Sequence, residues 1–216
     1  MPRRKRKPRR QTKRQRKRIE KARSVIDTYV EHAAEVFPRH FTKDCCINAT
    51  RVLVEVMAHF GVSAQPLSVS CVAHNKILVD CIEKHRGSLT EAEVDEAYDN
   101  GAWGVRIETG KQVKPNGWPG HLVAVVNNKW LVDSSAGQMS RPHKGIQLPP
   151  IVVVPATRRF QSGDELCVLT GPEGALLLYE AKPGDTSYVT ASGWERHPGN
   201  LAVVAEVIEA MEGNSE

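Results

Sequence analysis

The sequence predicts an α+β domain in which N-terminal helices pack on a mostly antiparallel β-sheet. Three observations carry that expectation. Apolar residues recur at helical spacing from 19 to 36 and again from 44 to 60. After residue 118 the pattern changes to short apolar runs divided by Gly, Asn and Pro. Helices thus come first and strands afterwards, rather than alternating as in an α/β chain.

Taken in order, Ile19, Ala22, Val25 or Ile26, Tyr29, Ala33 and Val36 form the apolar stripe of a first helix, which Pro38 should end. A second helix covers 44–60, with Asp44 as its N-cap and Gly61 as its C′ stop. A strand follows at 66–72, then helices at 76–84 and 90–98, the latter opened by the capping-box pair Thr90 and Glu93. Residues 103–107 read as a short strand. Two runs, 121–126 and 129–133, flank Asn127-Asn128 as a hairpin. Residues 151–154 make a buried strand, and 165–170 with 175–180 make a second hairpin around Gly171 to Gly174. An amphipathic helix at 201–211 closes the chain.

The net charge of +5 is unevenly placed. Residues 1–18 hold 12 Lys or Arg and no acid, which leaves 18 basic against 25 acidic residues in the remainder. The first 18 residues cannot bury surface to offset ordering entropy, and they read as a disordered basic tail on a single domain of 19–216. Such a tail suits nonspecific, salt-sensitive contact with nucleic acid or another acidic partner; no aromatic residue is interleaved for base stacking. No run approaches the roughly 18–20 apolar residues that span a bilayer, so no membrane insertion is expected. The basic N-terminus lacks the apolar core of a secretory signal. Five irregularly spaced cysteines, Cys45, Cys46, Cys71, Cys81 and Cys167, suit a reducing, cytoplasmic setting. With no CxxC and no Cys/His pair at ligand spacing, neither zinc nor another cofactor is expected.

Chemistry is suggested by one cysteine, one histidine and one aspartate. Thiolates are favoured at helix N-termini, where backbone N–H groups and the macrodipole oppose loss of negative charge. In the second helix Asn48, Arg51, Glu55 and His59 define the polar face, and Cys46 projects away from it in line with Leu53 and Met57. Cys45 falls on the flank. Inward projection fits a nucleophile held between helix and sheet, and equally an inert core thiol. His121 opens one strand of the first hairpin and Asp133 closes its partner, so the two should be neighbours. A carboxylate there would fix the imidazole tautomer. A two-residue turn would put Asp133 on the opposite face from His121, so the pairing requires a three-residue loop with Asn128 left-handed, or a bulge. Otherwise His121 is a strand-end histidine and Asp133 the start of the turn through Ser134 and Ser135.

Cys46-Ile47-Asn48-Ala49-Thr50-Arg51-Val52, the helix end His59-Phe60-Gly61-Val62-Ser63-Ala64, Gly120-His121-Leu122-Val123 and Trp130-Leu131-Val132-Asp133 resemble the transglutaminase-like branch of papain-fold proteins, including actinobacterial and phage members. The likeness covers roughly 44–70 and 118–140. It implies a papain-like core with Cys46 as nucleophile, His121 as general base and acid, and Asp133 as the orienting carboxylate. It also places the oxyanion near the Cys46 backbone N–H. Papain-like enzymes carry a Gln upstream of the cysteine; here the only upstream Gln residues, Gln11 and Gln15, are in the tail, and His40 occupies the equivalent neighbourhood. Gln138 is a candidate for a polar role in the cleft and Trp118 for its wall. The function so implied is thiol-dependent acyl transfer on a peptide, amide or ester, to water or an amine. The competing expectation is a catalytically inactive papain-fold binding module brought to a polyanion by its tail.

Overall fold

A computed structural model describes residues 12–42, 45–85, 87–108, 118–170, 174–191, 193–194 and 198–213. The element order is α1 (Lys13–His40), α2 (Cys46–His59), β1 (Ala64–His74), α3 (Lys76–Lys84), α4 (Glu91–Asp99), β2 (Gly104–Ile107), β3 (His121–Val126), β4 (Trp130–Asp133), β5 (Val152–Pro155), β6 (Glu165–Thr170), β7 (Ala175–Ala181) and α5 (Pro198–Gly213). The α+β expectation holds at this level. Seven strands form one sheet in the order β5-β4-β3-β1-β7-β6, with β2 also paired to β1, and each of these pairings is antiparallel. Among the described residues no helix is long and apolar enough to cross a membrane.

α1 departs from the expectation at both ends. It begins at Lys13 rather than Ile19, because Thr12 and Gln15 close a capping box in which each side chain bonds the other's backbone N–H. Residues 13–18 are therefore helical, not a disordered tail; the rest of that expectation, residues 1–11, lies outside the described residues. The helix also runs through Pro38 to His40. Asp44 lies outside the described residues as well, and the N-cap of α2 is Cys45, whose side chain makes no capping bond.

β1 is longer than expected and occupies the middle of the sheet. Its first half pairs with β3, from Ala64 opposite Val126 to Val69 opposite His121. Its second half pairs with β7, from Val69 opposite Ala181 to His74 opposite Leu176. Pro66 is tolerated there for a reason of parity. Ser63 O accepts from Asn127 on the β3 side and Ser68 O accepts from Lys182 on the β7 side, so even-numbered residues turn their backbone groups toward β7. The missing N–H of Pro66 faces that side before β7 pairing begins.

Two apolar layers sandwich the sheet. On one face α1, α2 and α5 supply Ile26, Tyr29, Leu53, Met57, Val203 and Val207 against Ala124, Val126 and Val132. On the other, Val69, Cys71, Val123, Val125, Leu131 and Tyr179 pack with Met139, Ile146 and Phe160 from the connecting segments. Both faces of β3 are covered, and all six of its residues are buried. That double burial is what withdraws its first residue, His121, from water.

Candidate functional site

The hairpin joining β3 to β4 has the odd loop that the site requires. Val126 pairs with Trp130, leaving Asn127, Asn128 and Lys129 in the loop, and both asparagines are left-handed at φ 51° and 53°. Asparagine tolerates that region through local hydrogen bonding of its short amide. In this register the position facing Asp133 is that of Val123, so His121 and Asp133 share a face but meet diagonally instead of directly opposite. The diagonal suffices. Nε2 of His121 stands 2.7 Å from Oδ2 of Asp133, and both side chains are wholly buried.

Asp133 is saturated with donors. Tyr179, on β7, donates its hydroxyl to the same Oδ2 at 2.9 Å. The Ser135 backbone N–H donates to Oδ1 at 3.0 Å, and the Ser135 hydroxyl does so at 3.3 Å. Burial opposes ionisation of this carboxyl, but His121 and these donors outweigh it and hold its pKa below the ordinary value. Burial also opposes a charged His121; the adjacent Asp133 carboxylate, with help from the Cys46 thiol, overcomes that and pushes the ring up to about 10. Behind them burial and the negative charge of Asp133 raise both Cys71 and Tyr179. Those two groups stay neutral around a single ion pair.

The thiol reaches this pair from the other layer. α2 packs on the helix-covered face, where Cys46 clusters with Leu122 and Tyr188. His121, alternating with Leu122, lies on the face shared by Cys71 and Tyr179. The two approach each other at the beginning of β3, and Cys46 adds to the upward shift of the ring. Thr50, one turn along α2, donates its hydroxyl to the Leu122 carbonyl at 2.8 Å and fixes the helix to this strand. Cys46 is 8% exposed. Its helical phase is as read from the sequence, with Leu53 and Met57 buried alongside it and Cys45 only half-buried.

Gln138, in the short helical turn Ala136–Met139, sits on the remaining ring nitrogen, its Nε2 3.0 Å from Nδ1 of His121. An amide N–H there suits an unprotonated Nδ1, whereas the raised pKa calls for a protonated one. The charge argument is the stronger, because the carboxylate is buried and adjacent; a half-turn of the amide presents Oε1 to Nδ1–H and satisfies the imidazolium. His40 takes no such part. Its ring bonds Glu206 of α5 at 2.6 Å.

Aromatic side chains close over the thiol. Trp118 and Tyr188 meet edge to face at 6.2 Å, and Tyr188 meets Trp194 at 4.8 Å. Trp118 is tied by its indole N–H to the Ser187 hydroxyl at 2.8 Å, and Arg51 lies over the Trp194 ring. Gly120 has φ 149°, and a Cβ on it would lie 2.7 Å from the Trp118 ring. Gly120→Ala should therefore displace Trp118 and speed modification of Cys46 by a small electrophile, measured as a labelling rate at unchanged far-UV circular dichroism.

Tyr179 and Ser135 were not foreseen as parts of the site. Ser135 could have been found, since Asp followed two residues later by Ser is an Asx-turn pattern. Tyr179 carries no local signal. Among the described residues no group of His, Cys, Asp and Glu could hold a metal ion.

The dyad also fixes a pH dependence. The His121 pKa is raised on folding, so its contribution to stability is complete below its ordinary 6.5 and drains away as pH rises toward about 10. The Asp133 pKa is lowered, so its contribution is complete above its ordinary 3.8 and is lost in acid below that. Denaturant unfolding should show stability declining between pH 6.5 and 10 in the native sequence, a component missing from His121→Gln.

No protein-family model matches this chain, and comparison with curated proteins and with solved structures gives no match.

Proposed function

We propose that the chain is a thiol-dependent acyl-transfer enzyme with a papain-like or transglutaminase-like core. The observation that carries the reading is the buried His121–Asp133 pair at 2.7 Å, with Cys46 at a helix start packed on Leu122, the next residue of the same strand. In this scheme the Cys46 thiolate attacks the carbonyl carbon of a peptide, amide or ester. The S–C bond forms as the carbonyl π electrons move to oxygen. α2 leaves the N–H groups of Cys46, Ile47 and Asn48 without intrahelical acceptors, since the first helical bond is Ala49 N–H to Cys45 O. In the same scheme the Cys46 N–H stabilises that oxyanion. Once Gln138 swings off that nitrogen, His121 gives its Nδ1 proton to the leaving amine or alcohol as the C–N or C–O bond breaks, producing a thioester. It then takes a proton from the incoming water or amine, which displaces the thiolate. Asp133 holds the ring by Nε2 and balances its charge throughout.

A second reading has its own support. With Cys46 almost covered and His121 wholly so, the site has the burial of a core cluster, which suits a papain-fold module that binds without turning over substrate. A thiol-directed electrophile followed by peptide mapping separates the two. The enzyme reading expects selective labelling of Cys46 near neutral pH, falling in His121→Ala to the rate of the other cysteines. Uniform labelling of all five, insensitive to His121, would falsify it.

A further inference from the structure

The basic N-terminus is partly built into α1, and this gives it a defined shape. From Lys13 to Lys21 only Ile19 is even half-buried, the first buried residue of the helix being Ala22. At 100° per residue Lys13, Arg14, Lys17, Arg18 and Lys21 fall within about 140° of arc, along about 12 Å of axis. They form a ridge of five exposed cations. Among the described residues none of the five is in an ion pair; the first on this helix joins Arg23 to Asp27. The first turn contains no acidic residue, so Lys13 and Arg14 also face the positive end of the helix dipole without compensation. The hairpin tip extends the surface: the Asn127 amide donates to the Arg18 carbonyl at 3.4 Å, and Lys129 is exposed beside it.

We infer that this ridge, with the hairpin tip, is a binding site for the phosphate backbone of nucleic acid, read without regard to sequence. Neither packing nor pairing within the chain accounts for the ridge. An interfacial membrane helix would need an apolar face, but Ile19 is the single apolar residue from 13 to 21 and lies about 100° or more from every residue of the ridge. Seven further Lys or Arg among residues 1–11 add to the same charge. The ridge adjoins the C-terminal end of α2, where Lys21 Nζ lies 3.6 Å from the place of a Cβ on Gly61. Cys46 is at the other end of that helix, about 20 Å away. Nucleic acid bound here would leave the thiol uncovered.

Fluorescence anisotropy of a short duplex of arbitrary sequence, titrated with the full chain over a range of salt, tests this. Each phosphate contact contributes about 0.9 to the slope of log affinity against log salt, so Arg14→Glu with Lys17→Glu should lower the slope by about 2 and weaken binding tenfold or more near 0.1 M salt. Lys84→Glu with Arg158→Glu makes the same change in net charge elsewhere and should stay within about twofold of the native chain. Labelling of Cys46 and the melting temperature should be unchanged in both pairs. Equal losses in the two pairs would reduce the effect to net charge and overturn the site. Tighter retention by phosphatidylserine vesicles or polyglutamate than by the duplex, at equal salt, would overturn the assignment to nucleic acid.

Discussion

Asp133→Ala is expected to destabilise the protein by about 3–5 kcal/mol, the range for removing one partner of a buried ion pair. Three groups lose their acceptor at once: the His121 ring, the Tyr179 hydroxyl and the Ser135 N–H. His121 must then give up its proton in an apolar surround, and Tyr179 is left with a buried, unsatisfied hydroxyl. In a domain of this size such a loss lowers the melting temperature by about 2–4 °C per kcal/mol. Asp133→Asn keeps the shape and can still accept from Tyr179, so it should cost less while abolishing the alkaline dependence described above. Chemical denaturation of both variants, alone and combined with His121→Gln, gives the coupling energy directly. Additive costs would mean that the two side chains do not interact in the folded state.

Tyr29→Ala is the second large effect expected, at about 3–5 kcal/mol for truncating a buried aromatic ring. Tyr29 is wholly buried where α1 crosses the sheet, and its ring meets Phe37 edge to face at 6.2 Å. Its hydroxyl bonds the Ser134 hydroxyl at 2.9 Å, so it ties the helix to the residue that follows Asp133. Tyr29→Phe removes that tie with the ring kept, leaving a buried Ser134 hydroxyl unpaired at a cost of about 1–3 kcal/mol. If the tie also positions Asp133, Tyr29→Phe slows Cys46 labelling beyond what its stability loss explains. Denaturation and labelling rates measured on the same samples decide it.

What the sequence made legible was what is decided locally. Gly61 ends α2 with φ 66°, Thr90 and Glu93 close their capping box, and Asn127 with Asn128 shape the odd loop that puts His121 and Asp133 on one face. Each rests on contacts between residues a few positions apart. The start of α1 was equally local, in Thr12 and Gln15, but the surrounding density of charge argued for disorder. The rest depends on distant pairing. Nothing near Tyr179 indicates that β7 will lie beside β1 and aim its hydroxyl at Asp133. Nothing near Cys46 indicates that its helix and the His121–Asp133 pair will occupy opposite layers. Periodicity assigns a residue to a face, but the order of strands decides which faces meet.

That order has a consequence in time. β1 sits between β3 and β7, and its last partner is more than a hundred residues farther along the chain. Pairings of that span are among the slowest to form, because loop closure must be completed before the contacts reward it. Tyr179 thus reaches Asp133 only after β7 has been made and has paired with β1. The Asp133 carboxylate therefore gains its Tyr179 donor only when the C-terminal strands dock, and until then the His121–Asp133 pair lacks part of its support.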